Sequence, residues 1–198
     1  MKKLITALTF FIIMAIPVVS FADGPFGLSM GMTYDEIKAI DPNIKSKENF
    51  IYKIKTVPRP YPGIDMYILY ISPTLGLSRI ITYGADIKTS IFGTKIISKF
   101  NIMAENLSSV YGTKKQYNFL KNGSRWDDPQ YWTMGLLKRE RTLATVFGEK
   151  SLLKNNITSI FLQAVMSNRE TGYLTIWYEF SNHNALLEEL KDRNSQSL

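Results

Sequence analysis

The chain has 198 residues, with 24 Lys and Arg against 17 Asp and Glu, one His and no Cys. Without a thiol there is no disulfide, no thiolate nucleophile or metal ligand, and no lipid-bearing Cys at a processing site. A single His leaves general acid–base catalysis, Ser–His triads and most zinc sites short of their usual residue.

Residues 1–22 read as a secretory signal peptide. Lys2 and Lys3 open it, an apolar run follows over 4–19, and the small residues Ser20 and Ala22 stand where a signal peptidase reads. A spanning helix needs about 20 apolar residues. This run is shorter, carries Pro17 and ends at a credible cut site, so cleavage after Ala22 is expected, with the body periplasmic or secreted. Losing the two leader lysines lowers the formal charge of +7 to +5. Residues 23–193 have the size of one domain that buries its core without staples, and 194–198 read as a frayed tail. The cations are scattered, which argues against nucleic acid and for solubility, an anionic envelope surface or an acidic partner.

The first helix is specified locally. Thr33 and Glu36 form a capping box, Met32 and Ile37 a hydrophobic staple, and Pro42 stops the helix. Alternation over 50–55 predicts a strand with Phe50, Tyr52 and Ile54 on one face. The apolar segment 64–71 predicts a more central strand, and 77–83 another after a turn at 73–76. These three read as an antiparallel meander.

A longer helix begins at Thr94 as its cap. Ile96, Phe100, Met103, Leu107 and Val110 form its stripe, widened by Ile97, Ala104 and Tyr111, and Gly112 ends it. A strand is expected near 116–120, then a polar loop over 121–124. Segments 131–137 and 142–147 read as a hairpin turning through 138–140. Segments 157–165 and 173–180 read as a final strand pair joined by 167–172. Over 185–193 a terminal helix is expected, with Leu186, Leu187 and Leu190 on one side and Glu189 supporting Arg193. The sum is an α+β fold, an antiparallel sheet with one long amphipathic helix on one face and short N-terminal and C-terminal helices.

Three constellations carry candidate chemistry. The 57–63 loop, Val-Pro-Arg-Pro-Tyr-Pro-Gly, is stiffened toward polyproline II and displays Arg59 and Tyr61, residue types common at interfaces. It is the best candidate for a partner surface, and otherwise a rigid connector. Trp126, Asp127, Asp128, Tyr131 and Trp132 set aromatic faces beside carboxylates, as a sugar- or cation-binding lip does, or as a turn plugged by aromatics does. Asp127, Asp128, Glu140 and Glu179 are the acids available to a glycosidase pair. His183 reads as a surface or capping residue. Three Asn-x-Ser/Thr triplets start at Asn106, Asn122 and Asn156 and would mean nothing were the protein bacterial, as the style of the leader suggests. No phosphate-cradling Gly loop, dinucleotide fingerprint or calcium loop appears, so no cofactor and no metal is expected.

The segment 27–37, Gly-Leu-Ser-Met-Gly-Met-Thr-Tyr-Asp-Glu-Ile, resembles the "G-M-T-x-x-E-V" opening of small periplasmic proteins of the SmpA/OmlA type. It also resembles the way the β-lactamase inhibitor protein opens its repeats. Both place helices on an antiparallel sheet and act by contact, so the resemblance implies a binding protein. The chain differs in lacking the lipid-bearing Cys and a second copy of the motif. Tyr111-Gly112 followed by a Trp-Asp segment and Arg-Thr-Leu-Ala (141–144) resembles secreted proteobacterial proteins with no assigned activity.

The resulting expectation is an exported, non-catalytic binding protein of the periplasm or cell envelope. Its partner would be an envelope protein or an anionic envelope component. A carboxylate-based hydrolase of envelope glycan and an apolar-ligand carrier are the alternatives.

Overall fold

The computed structural model describes residues 24–148 and 151–195. The leader, its cut site and residues 196–198 lie outside the described residues.

Helix α1 (Tyr34–Ile40) forms as its sequence dictates. Thr33 Oγ1 accepts from the Glu36 amide at 3.3 Å, and the Glu36 carboxylate accepts from the Thr33 amide at 2.8 Å. Ile37 is wholly buried, and Met32 packs against the same core. Strands β1 (Lys45–Glu48), β2 (Ile51–Ile54), β3 (Ile64–Ser72), β4 (Gly76–Gly84) and β5 (Ile87–Lys88) follow. Helix α2 (Thr94–Tyr111) precedes β6 (Lys114–Leu120), α3 (Trp132–Leu137) and β7 (Arg141–Phe147). The chain then runs through β8 (Ile157–Met166), β9 (Thr171–Phe180) and α4 (His183–Ser195).

The strands make one antiparallel sheet in the order β1-β2-β3-β4-β9-β8-β7-β6, with β5 pairing β9. The β2-β3-β4 meander and the β8-β9 pair are the ones the sequence predicts. Both edges carry lysines, Lys45 and Lys47 on β1 and Lys114 and Lys115 on β6, which discourages edge-to-edge pairing.

One face of the sheet holds the core. Leu69, Ile80, Ile160, Leu162 and Ile176 meet Ile96, Phe100, Ala104 and Leu107 of α2 there. Each large side chain buried this way contributes about 1.5–3 kcal/mol. Ile37 of α1 and Leu136 of α3 join the same cluster. Helix α4 takes the other face, where His183 meets the Tyr70 ring edge-on at 5.7 Å.

Several local expectations are corrected. Segment 131–137 is not a strand: Pro129–Tyr131 form a 3-10 turn that runs into α3, and β7 pairs with β6 and β8 instead. Helix α2 is not capped by Thr94. Its N-cap is Gly93, at φ 72°, and Thr89 Oγ1 accepts from the Lys95 amide at 3.1 Å, filling the capping role from outside the helix. Val110 is half exposed rather than part of a buried stripe. On α4, Leu186 is buried but Leu187 faces water. Glu189 does not reach for Arg193. It accepts from Ser72 and Thr74, while Arg193 lies over the Phe50 ring at 5.2 Å. Strands β1 and β5 have no counterpart among the segments the sequence pattern predicts.

Candidate functional site

The proline-rich loop is built into the fold beside α2. Val57 is buried, the Arg59 amide donates to Phe26 O at 2.9 Å, and Arg59 Nη2 donates to Gly24 O at 3.3 Å. Pro58 covers Gly27, where an added Cβ would lie 2.8 Å from the proline ring. Tyr61 then reaches α2, its hydroxyl accepting from Asn106 Nδ2 at 2.9 Å. This cross-link stands between two hollows that open along α2.

The first hollow, about 520 Å³, has Tyr178 and Ile176 as floor and Arg59, Tyr61, Tyr111 and Lys154 around it. Lys154 Nζ lies 5.5 Å from the centre of the Tyr111 ring. Burial pushes the Tyr111 phenol up to about 12, against the pull of the Arg59 charge, and burial raises Tyr178 well above the usual phenol range. Both phenols are therefore neutral near pH 7, able to donate and accept hydrogen bonds between two fixed cations.

The second hollow, about 370 Å³, lies on the other side of Tyr61. Ile64, Ile87, Ile102, Met103, Leu174 and Ile176 line it. Lys88, Lys95 and Lys99 stand around it, with Asp86 as its acid. Together the two hollows present five cations and one carboxylate over apolar and phenolic surface. Such a surface attracts negative groups and holds apolar ones.

The aromatic segment lies elsewhere on α2. Trp132 packs over Gly93, and the Thr133 amide donates to Ile91 O at 3.2 Å. Gly93 is separated from Asn106 by roughly 20 Å at the rise of an α-helix, so Trp132 does not share a site with Tyr61. Trp126 and Tyr131 do come together, ring edge to face at 5.6 Å, with Arg125 over Trp126 at 4.6 Å. Asp127 is exposed beside them. Asp128 accepts from the Gln130 amide at 2.9 Å and serves as the cap of its turn.

Glu179 stands on the sheet face away from α2 and α3, held by Arg79 at 3.2 Å and Ser159 at 3.0 Å. The sheet therefore lies between Glu179 and the Asp127–Asp128 pair, and one sugar linkage cannot be flanked by both. Glu140 sits in the α3–β7 connection, its amide donating to Gly135 O at 2.9 Å.

His183 is not a surface residue. It is 4% exposed, its Nδ1 lies 3.2 Å from Ser78 Oγ, and its Nε2 lies 4.0 Å from Glu179 Oε1. Ser, His and Glu in a row have the composition of a hydrolytic triad. Ser78, however, is 0% exposed and its hydroxyl donates to Tyr70 O at 3.3 Å, so no substrate carbonyl can approach it. Burial, then the Arg79 charge, lowers the His183 pKa, against Glu179. The network is therefore neutral at its centre and holds α4 on the sheet.

Among the described residues, no three His, Asp or Glu side chains come together as a metal site, and no helix is long and apolar enough to cross a membrane. The lysine-edged hollow was missed in the sequence, although a signal exists. Lys95, Lys99, Ile102 and Asn106 recur at helical spacing and form a second stripe beside the buried one. No protein-family model, curated protein or solved structure matches this chain. The likeness to the SmpA/OmlA-type opening thus rests on residues 27–37 alone.

Proposed function

We propose that this is an exported, non-catalytic binding protein of the bacterial periplasm or cell envelope. Its working surface is the α2 groove on either side of Tyr61, and it takes negatively charged groups of an envelope component. The observation that carries this reading is the charge of the groove: Arg59, Lys154, Lys88, Lys95 and Lys99 surround it against Asp86. The signal-peptide pattern of residues 1–22 supports the compartment. The separation of Glu179 from Asp127 and Asp128 weakens the hydrolase alternative.

The test is photo-crosslinking in living cells with a reactive residue at position 61. One reproducible envelope adduct, lost when Lys95 and Lys99 are both changed to Glu, is the expected result. An absent adduct, or one indifferent to the charge reversal, overturns the reading. Sequencing the amino end of the protein from the envelope fraction should begin at Asp23, and an untrimmed cytosolic chain would refute export.

A further inference from the structure

The second hollow combines two features that point to one ligand chemistry. Its lining is aliphatic, from Ile64, Ile87, Ile102, Met103, Leu174 and Ile176. Ile102 is 54% exposed on a helix that buries Ile96, Phe100, Ala104 and Leu107, so its side chain is available to whatever enters. Around this lining stand Lys88, Lys95 and Lys99, and among the described residues none of the three ammonium groups has a carboxylate partner. Lys95 and Lys99 are one helical turn apart, where like charges repel and a shared anion relieves the repulsion. Tyr61, held by Asn106, walls the hollow from its neighbour.

We propose that this hollow binds a single-chain amphiphile, its alkyl chain against Ile102 and Leu174 and its anionic head on Lys95 and Lys99. The inference rests on the α2 groove being the working surface and names the class of ligand that one half of it takes. About 370 Å³ accommodates roughly a dozen water-sized groups at about 30 Å³ each, which suits one chain of moderate length. The head is set by charge alone. A free carboxylate and a monoacyl phosphate both satisfy it, and a cationic head does not, because three lysines outweigh Asp86.

The test is calorimetric titration of the purified protein with decanoate, decyl phosphate, decyltrimethylammonium and butyrate, each below its micellar concentration. Decanoate or decyl phosphate should bind saturably at one site, and whichever binds tighter identifies the head. Butyrate, which lacks the chain, and decyltrimethylammonium, which inverts the head, should each bind at least tenfold more weakly. Ile102→Asp and the double change Lys95→Glu with Lys99→Glu should each weaken binding at least tenfold. All three positions are exposed, so the variants should melt like the parent. Equal binding of the anionic and cationic decyl compounds, no saturable binding, or binding indifferent to both variants would overturn the proposal. If decanoate and decyl phosphate fail while the charge-sensitive adduct at position 61 persists, the ligand class is wrong and the groove stands. If the adduct fails too, the function reading falls with it.

Discussion

Ser78 and His183 are 105 residues apart in the chain, yet Ser78 Oγ and His183 Nδ1 lie 3.2 Å apart beneath the start of α4. The contact fastens the last helix to β4. Burial lowers the His183 pKa below its ordinary 6.5, Arg79 adds to the effect and Glu179 opposes it. Below pH 6.5 the unfolded chain takes up a proton that the folded chain refuses. The contribution is thus complete above that pH and is lost as pH falls toward the lowered folded value. Denaturant titrations between pH 7.5 and 5 should show stability falling with acid in the parent protein. His183→Gln should lose that component of the slope and, with the Ser78–His183 contact gone while Ser78 keeps its bond to Tyr70 O, about 0.5–1.5 kcal/mol at pH 7.5. Equal slopes would contradict the assignment.

Asp41 closes α1 and holds the next segment to it. Its carboxylate accepts from the amides of Asn43 at 3.0 Å, Lys55 at 2.8 Å and Thr56 at 3.0 Å. Burial works against the charge, but the three backbone donors outweigh it and keep the carboxyl below its ordinary range. Its contribution is present above the ordinary carboxyl value of 3.8 and disappears as pH falls through the lowered folded value. Asp41→Ala should cost at least the roughly 1.5–3 kcal/mol of one charge-assisted hydrogen bond. Asp41→Asn, which keeps one acceptor, should cost less. Thermal melts at pH 7 rank the three proteins, and an Ala variant as stable as the parent would reject the role.

Gly93 and Trp132 are a matched pair. At φ 72° Gly93 takes a left-handed conformation, and an added Cβ would sit 2.2 Å from Trp132 Cε3. Gly93→Ala therefore combines backbone strain of about 1–2 kcal/mol with overpacking of about 1–3 kcal/mol. Adding Trp132→Ala removes the clash and leaves the strain. In a double-mutant cycle the combined loss should be smaller than the sum of the two single losses. Strict additivity would show that the ring simply moves aside.

What the sequence revealed follows the range of the interactions. Helix α1 was legible to its cap because Thr33, Glu36, Met32 and Ile37 act within five residues of one another. Helix α3 was misread because Tyr131, Trp132 and Thr133 favour strands and Gly135 disfavours helices. The counter-signal was Asp128-Pro129, a capping acid followed by a proline at the first helical position, and the structure uses both. Gly135 also lets α3 approach β7, since an added Cβ would lie 3.1 Å from Arg141 Cβ. Strand β5, two residues long, is too short to show a period. The loop at 57–63 was recognised, but its hollows depend on α2 and β9, segments far along the chain. His183 was misplaced for the same reason, because Ser78 and Arg79 give no local sign of meeting it.

Arg79 and His183 share one carboxylate oxygen. Glu179 Oε1 lies 3.2 Å from Arg79 Nη2 and 4.0 Å from His183 Nε2. Arg79 is also clasped between rings, 4.8 Å from the centre of Trp177 and 5.6 Å from that of Tyr70. The two charges act on the imidazole with opposite signs, Arg79 disfavouring its protonation and Glu179 favouring it. Arg79→Met keeps an unbranched apolar stem between the rings, removes the positive charge and leaves the Glu179 charge without its ion-pair partner, so both consequences raise the His183 pKa. Glu179→Gln removes the one favourable charge and leaves Arg79 in place, so the pKa falls further. Because the chain has a single His, its imidazole carbon–proton resonance reports the titration without ambiguity. Shifts of opposite sign in the two variants are expected. Shifts of the same sign, or none, would mean that burial alone sets the proton affinity and that the carboxylate bridge does not reach the ring.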